Sequence, residues 1–302
     1  MHTKKRIHFS KHSKKKKVSL TFFSIGLVVL IALLFVMENP LHIRQSAAAT
    51  TILWSANHES GTMSDWYVND CGGEFNSGNG VSSISSDVAH SGKYSAKMTI
   101  NATGSDTGVR LFRWCESRAS DPDLYYSTWY YFPTQVQVTG GWWNIFQFKS
   151  KYPGGNDPYW IVNVGNRSNG AMYLYLYDWV HKKSYDQSIA SLPVGKWVNL
   201  KVFLKRAADT TGQISVWQDG IEIFNIPHVP TVDANAELQW SIDNYANELS
   251  PSDVTIYTDD ATITTSPTGL NTTPTPEKPS PKPTPDDTAD FLKVLKQIMS
   301  FF

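Results

Sequence analysis

Between residues 50 and 265 the chain is written in short runs whose apolar residues alternate with period two, each bounded by Gly, Pro, Asn, Asp or Ser. Eleven runs are legible: Lys93–Ile100, Val109–Glu116, Tyr125–Phe132, Trp142–Lys149, Tyr159–Val164, Ala171–Val180, Trp197–Leu204, Gln213–Trp217, Ile221–Ile226, Glu237–Ile242 and Val254–Thr258. No helical pattern longer than about ten residues interrupts them. So many strands in one stretch predict an all-β fold, an antiparallel β-sandwich larger than a seven-stranded immunoglobulin module. No internal period marks a propeller or a solenoid.

The ends differ. Lys14 to Lys17 precede Val18–Met37, a run without a charge, and Ala47-Ala48-Ala49 follows. The run is long enough to cross a bilayer, and the small residues offer a cleavage site. Residues 1–49 are therefore expected to be a signal peptide or a transmembrane anchor. Either way the basic cluster stays in the cytoplasm and the rest is exported, secreted or held at the membrane. From Ser266 to Pro285 the chain is a Pro/Thr-rich linker. Residues 286–302 read as a short amphipathic helix, with Phe291, Ile298 and Phe302 on one face.

Lys+Arg 27 balance Asp+Glu 27, but nine of the basic residues and only one acid lie in residues 1–49. What remains is 18 basic against 26 acidic, a net of −8, which argues against a nucleic-acid partner. Aromatics at 13% with 11 Trp suit a protein that handles sugars. Export also predicts that the two cysteines, Cys71 and Cys115, form a disulfide. A monomer is the expected working unit.

Four motifs recur in order. They are His90-Ser91-Gly92-Lys93-Tyr94-Ser95-Ala96-Lys97, Pro193-Val194-Gly195-Lys196-Trp197, the Asp219-Gly220 hairpin, and Ser250-Pro251 through Tyr257-Thr258-Asp259-Asp260-Ala261. Together they resemble the concanavalin-like jelly roll of heparin lyase I-like and glucuronan lyase-like polysaccharide lyases, over about residues 52–265. The resemblance implies an extracellular polysaccharide partner and β-elimination at a uronic acid. Such chemistry needs an amide or guanidinium to stabilise the enediolate, and a base and an acid for the protons.

Gln147 and Lys149 share one face of their strand, with Phe146 and Phe148 on the other. They resemble a Gln-x-His pair of the family, with Lys149 standing where His is expected. Lys149 can serve as a base only if its pKa is lowered. Arg110 is the candidate for the substrate carboxylate, and alternation puts Glu116 on its face and Arg113 on the other. Gln239 to Tyr245 resembles the strand carrying the acid tyrosine. Asp243 occupies the expected tyrosine position, leaving Tyr245 as the candidate. Tyr173, Tyr175 and Tyr177 alternate with Met172, Leu174 and Leu176 and are expected to bind sugar, with Asn163 and with Trp143 at a Trp142-Trp143 rim. Glu59 and Asp260 are candidates for a structural Ca²⁺; no organic cofactor is expected. The Glu-x-Asp-x-x-Glu run of glycoside hydrolases with this fold is missing. The expected function is a polysaccharide lyase-like protein that binds and cleaves a uronate polymer; the alternative is a non-catalytic carbohydrate-binding surface protein.

Overall fold

The computed structural model describes residues 50–118, 120 and 122–267. The expected N-terminal segment, nearly all of the linker and the C-terminal helix lie outside the described residues. Among the described residues, no helix is long and apolar enough to cross a membrane.

Fifteen strands follow in order: β1 (Ile52–Ala56), β2 (Gly72–Ser77), β3 (Gly80–Ser85), β4 (Ser95–Ile100), β5 (Thr107–Arg113), β6 (Asp123–Tyr131), β7 (Gln137–Tyr152), β8 (Gly155–Asn166), β9 (Met172–Asp178), β10 (Lys183–Tyr185), β11 (Trp197–Lys205), β12 (Gln213–Gln218), β13 (Ile221–Pro227), β14 (Glu237–Ser250) and β15 (Val254–Thr264). One sheet runs β13-β12-β11-β6-β15-β4-β3, with β1 also on β15; the other runs β10-β9-β8-β7-β14-β5-β2. Every pairing is antiparallel. The result is the two-sheet sandwich that the alternation predicts.

All eleven expected runs are strands. The four that alternation does not reveal are β1, β2, β3 and β10. Of these, β2, β3 and β10 are sheet edges, where Gly, Ser and Lys replace the apolar rhythm because one flank has no strand to pack beside. Between β12 and β13, Asp219 and Gly220 both have positive φ (50° and 79°), the type I′ turn that an Asp-Gly pair favours.

The core fills from both inner faces. Met98 and Ile100 of β4 and Tyr126 and Tyr130 of β6 meet Phe146, Phe148, Trp160 and Trp240 of the other sheet. Trp240 is the hub, with ring centroids 5.4 Å from Tyr126, 5.5 Å from Phe146 and 5.8 Å from Trp54. Burying each such side chain contributes roughly 1.5–3 kcal/mol. Cys71 and Cys115 are bonded, with Cα atoms 5.4 Å apart, tying the entry to β2 to the loop after β5.

Two expectations about facing need correction. β5 ends at Arg113, so alternation does not carry on to Glu116. The chain turns back and Glu116 pairs with Arg113, which also donates to the carbonyls of Trp66 (3.0 Å) and Val68 (2.8 Å). Arg110 is left to a different partner. On β7, Asn144 lies opposite Asn163 but Phe146 lies opposite Val162, so Ile145 is an extra residue in that ladder. Ile145 and Phe146 are both fully buried. Such a bulge reverses the facing on one side of it. Trp143 therefore turns inward and Trp142 outward.

Candidate functional site

The site lies on the outer face of the β10–β2 sheet, in a groove of about 740 Å³ lined from β5, β7, β8, β9, β10 and β14. Its aromatic wall comes from β9. Met172, Leu174 and Leu176 enter the core, and Tyr173, Tyr175 and Tyr177 line the groove. Burial pushes the Tyr175 hydroxyl up to about 12, so it acts as a neutral hydrogen-bonding phenol. Trp142 and Tyr245 stack 5.3 Å apart at the other side.

Trp143 is not at this rim. It is fully buried, with Nε1 donating to Asn244 Oδ1 at 2.9 Å. This is a correction, and its cause is the bulge at Ile145. Trp142 takes the place expected of its neighbour.

Polar groups converge on the floor. Asn144, Gln147 and Asn163 line it from β7 and β8, and Arg110 enters from β5. Gln147 is 1% exposed and Asn163 2%. Gln147 Oε1 and Asn163 Oδ1 have no hydrogen-bond partner in the protein. Buried polar atoms are nearly always paired, so two such acceptors at one groove mark a place where a ligand's donors, such as sugar hydroxyls, complete the structure.

Arg110 lies over the Tyr245 ring, its guanidinium carbon 3.6 Å from the centroid, a cation–π seat. Its ionic partner is Asp243, directly across the β5–β14 ladder, with Nε 3.6 Å from Oδ1. Asp243 is fully buried and neither oxygen accepts a hydrogen bond. Burial raises its pKa against the opposing pull of Arg110. The sequence marked Asp243 only as a departure from a tyrosine. That it sits beneath Arg110 depends on the register of two strands far apart in sequence.

Lys149 stands two residues beyond Gln147 on the same face. It is 8% exposed, and Nζ donates to Asn156 Oδ1 at 2.8 Å. Burial, with the charge of Arg110, lowers its pKa to about 8. Lys149 lines a neighbouring hollow that shares Arg110 with the groove. Lys149 lies opposite Gln239 and Tyr245 opposite Asn144, so the two candidates sit six β14 positions apart, about 20 Å of strand.

Glu59 and Asp260 both reach the turn at residues 90–94. Glu59 accepts the amides of Lys93 and Tyr94, each at 2.9 Å. Asp260 accepts Ser91 Oγ at 2.9 Å and lies 2.6 Å from His90 Nδ1. Ca²⁺ needs oxygen lone pairs, and here the two carboxylates are taken by N–H and O–H donors.

A family model described as polysaccharide lyase matches residues 58–262. No curated protein matches the chain. Among solved structures, an endo-β-1,4-glucuronan lyase from the fungus Trichoderma reesei superposes with a TM-score of 0.55 at 17% identity, over 72% of this chain and 96% of that one. An alginate lyase superposes at 0.50 and 15% identity, over 70% of this chain and 95% of that one. A variant of the same alginate lyase, in complex with an alginate trisaccharide, gives 0.50 at 16% identity over 70% and 96%. These likenesses are of fold, and the family match spans more than half of the sequence: the chain belongs to the polysaccharide lyase family.

Proposed function

We propose that this protein is an exported lyase that cleaves a uronate-containing polysaccharide by β-elimination. The observation that carries the reading is the pair of buried acceptors without a partner, Gln147 Oε1 and Asn163 Oδ1, beside the Arg110 guanidinium and beneath a wall of tyrosines. Sugar rings stack on the aromatic wall. Arg110 and the Gln147 Nε2 donor meet the uronate carboxylate and stabilise the charge that grows on it as C5 loses its proton, while Gln147 Oε1 and Asn163 Oδ1 accept from sugar hydroxyls.

Lys149 is the base. With a pKa near 8, a useful fraction is unprotonated at neutral pH, and it stands one strand position pair from Gln147. Its nitrogen takes the C5 proton. The C5–H electrons form the C4=C5 double bond, and the C4–O bond breaks. The ammonium returns its proton to the departing oxygen. Tyr245 seats Arg110. Glucuronan and alginate, the polymers named for structurally similar lyases, are the first substrates to try.

The test is incubation of the full-length protein with polyglucuronate and with alginate, following the ultraviolet absorbance of the unsaturated product. Gln147→Ala is expected to cut turnover by about 10²–10³ with little change in affinity. Wild-type protein that binds either polymer without producing unsaturated ends would replace this reading with that of a carbohydrate-binding protein.

Two lesser proposals accompany it. Export with residues 1–17 inside predicts that this segment is protected when protease is added to intact cells. A structural Ca²⁺ at Glu59 and Asp260 would have to displace the amides of Lys93 and Tyr94. A chelator would then lower Tm and Asp260→Ala would abolish the response; superimposable melting curves remove the ion.

A further inference from the structure

Beneath the groove floor lies a carboxylate, Asp243, that is fully buried and accepts no hydrogen bond on either oxygen. A buried carboxylate keeps its charge only where hydrogen bonds or an opposite charge hold it. Here the hold is purely electrostatic. Arg110 stands across the β5–β14 ladder with Nε 3.6 Å from Oδ1, too far for a hydrogen bond. Burial raises the pKa of Asp243, against the pull of Arg110 and, more weakly, of Lys149.

Its neighbours come from four strands. Arg110 faces it from β5 and Lys149 from β7, and Ser241 stands two positions away on the same face of β14. From the opposite sheet, the Tyr130 hydroxyl of β6 donates to the Ile145 carbonyl and is held neutral by burial and by the Asp243 charge. The result is one anion between two cations. A uronate carboxylate that docks on Arg110 brings a second anion to the same guanidinium, and like charges at one site disfavour the ionised form of each. The sugar carboxylate gains the donors of Arg110 and Gln147. Asp243 has no hydrogen bond to lose, so it is the one that gives up its charge.

We propose that a uronate carboxylate docking on Arg110 draws a proton from solvent onto Asp243, so that capture of the polymer tightens as pH falls. This rests on the reading of Arg110 as the seat of that carboxylate. Asp243 does not touch the sugar; it is a positioning residue that acts through Arg110. In the free protein its charge offsets the guanidinium seated on Tyr245. In the complex the neutral acid leaves the whole cation to the substrate. The sign follows from linkage: a complex that binds more protons than its separate parts is favoured by acid. Above about pH 5 the polymer's own carboxylates are ionised. Among the described residues no histidine lines the groove or the hollow beside it. Asp106 and Asp186 line the groove from exposed positions, so a substitution at Asp243 assigns the proton. Lys149 takes up a proton in the same event only nearer its own pKa of about 8.

The experiment is calorimetric titration of the full-length protein with polyglucuronate near pH 5.5, in two buffers of different ionisation heat, together with affinities from about pH 5 to about pH 7. Wild type is expected to take up a fraction of a proton per site, about 0.3–0.5, and to bind about three- to tenfold more tightly at the acid end. Asp243→Asn is expected to take up none near pH 5.5. At pH 7 it is expected to bind about as tightly as wild type does at pH 5, because the competing anion is gone. A merely structural role for Asp243 would instead weaken binding at every pH. Lys149→Met is expected to keep the uptake near pH 5.5. If wild type binds, Arg110→Ala loses that binding, and no proton is taken up near pH 5.5, the inference is wrong and the groove stands; that outcome does not depend on the Asp243 variant folding. If Arg110→Ala binds as tightly as wild type, the carboxylate seat itself is wrong and the inference falls with it.

Discussion

Lys149 shows how one side chain's surroundings can lower the pKa of a residue that is ordinarily a solvated cation. Its position two residues from Gln147 is plain in the sequence. Its burial is not, because β14, which flanks it through Gln239, is distant in the chain. If it is the base, the rate rises with pH as the ammonium is lost and levels above about 8. A pH–rate profile checks this, and a profile flat from pH 6 to 9 excludes it. The same burial has a stability consequence of definite sign. The folded pKa of about 8 lies below the ordinary 10.5, so between those values the unfolded chain binds the proton more tightly. Stability contributed by this group therefore rises with pH across that window. Lys149→Met, which removes the buried charge, is expected to raise stability by about 1–3 kcal/mol near neutrality while abolishing turnover. Denaturant titration beside the product assay separates the two effects.

At the scale of the element, β7 carries the lesson. Strict alternation places Trp143 with Gln147 and Lys149; a single extra residue at Ile145 exchanges it for Trp142. The sequence contains no turn signal there, since Ile145 is as good a strand former as its neighbours. The bulge exists because the ladders to β8 and β14 fall out of step. The two tryptophans should then behave oppositely. Trp143→Ala leaves a core cavity and an unpaired Asn244, and is expected to cost about 3–5 kcal/mol of stability. Trp142→Ala is expected to leave Tm nearly unchanged and to weaken polymer binding several-fold. Equal melting losses in the two variants would contradict the bulge. The disulfide acts at this scale too. Closing the loop between Cys71 and Cys115 is expected to stabilise the fold by about 2–4 kcal/mol, measured as the shift in denaturation midpoint when the bond is reduced.

For the molecule as a whole, the sequence by itself determined the sandwich, the eleven principal strands, the aromatic wall of β9 and the likeness to polysaccharide lyases. These are local quantities: alternation decides which face of a strand is apolar, and turn chemistry decides where it ends. The pairing of Cys71 with Cys115 was legible for a simpler reason, since two cysteines admit one bond. Tertiary structure alone decided that Asp243 lies beneath Arg110, that Trp142 replaces Trp143, and that Lys149 is shielded from water. Each of these depends on which residues face one another across strands up to about 130 positions apart in sequence, such as Arg110 and Asp243. Register between strands is set by the packing of two whole sheets and by their bulges. No run of neighbouring residues carries that information, and the chemistry of the groove is built from it.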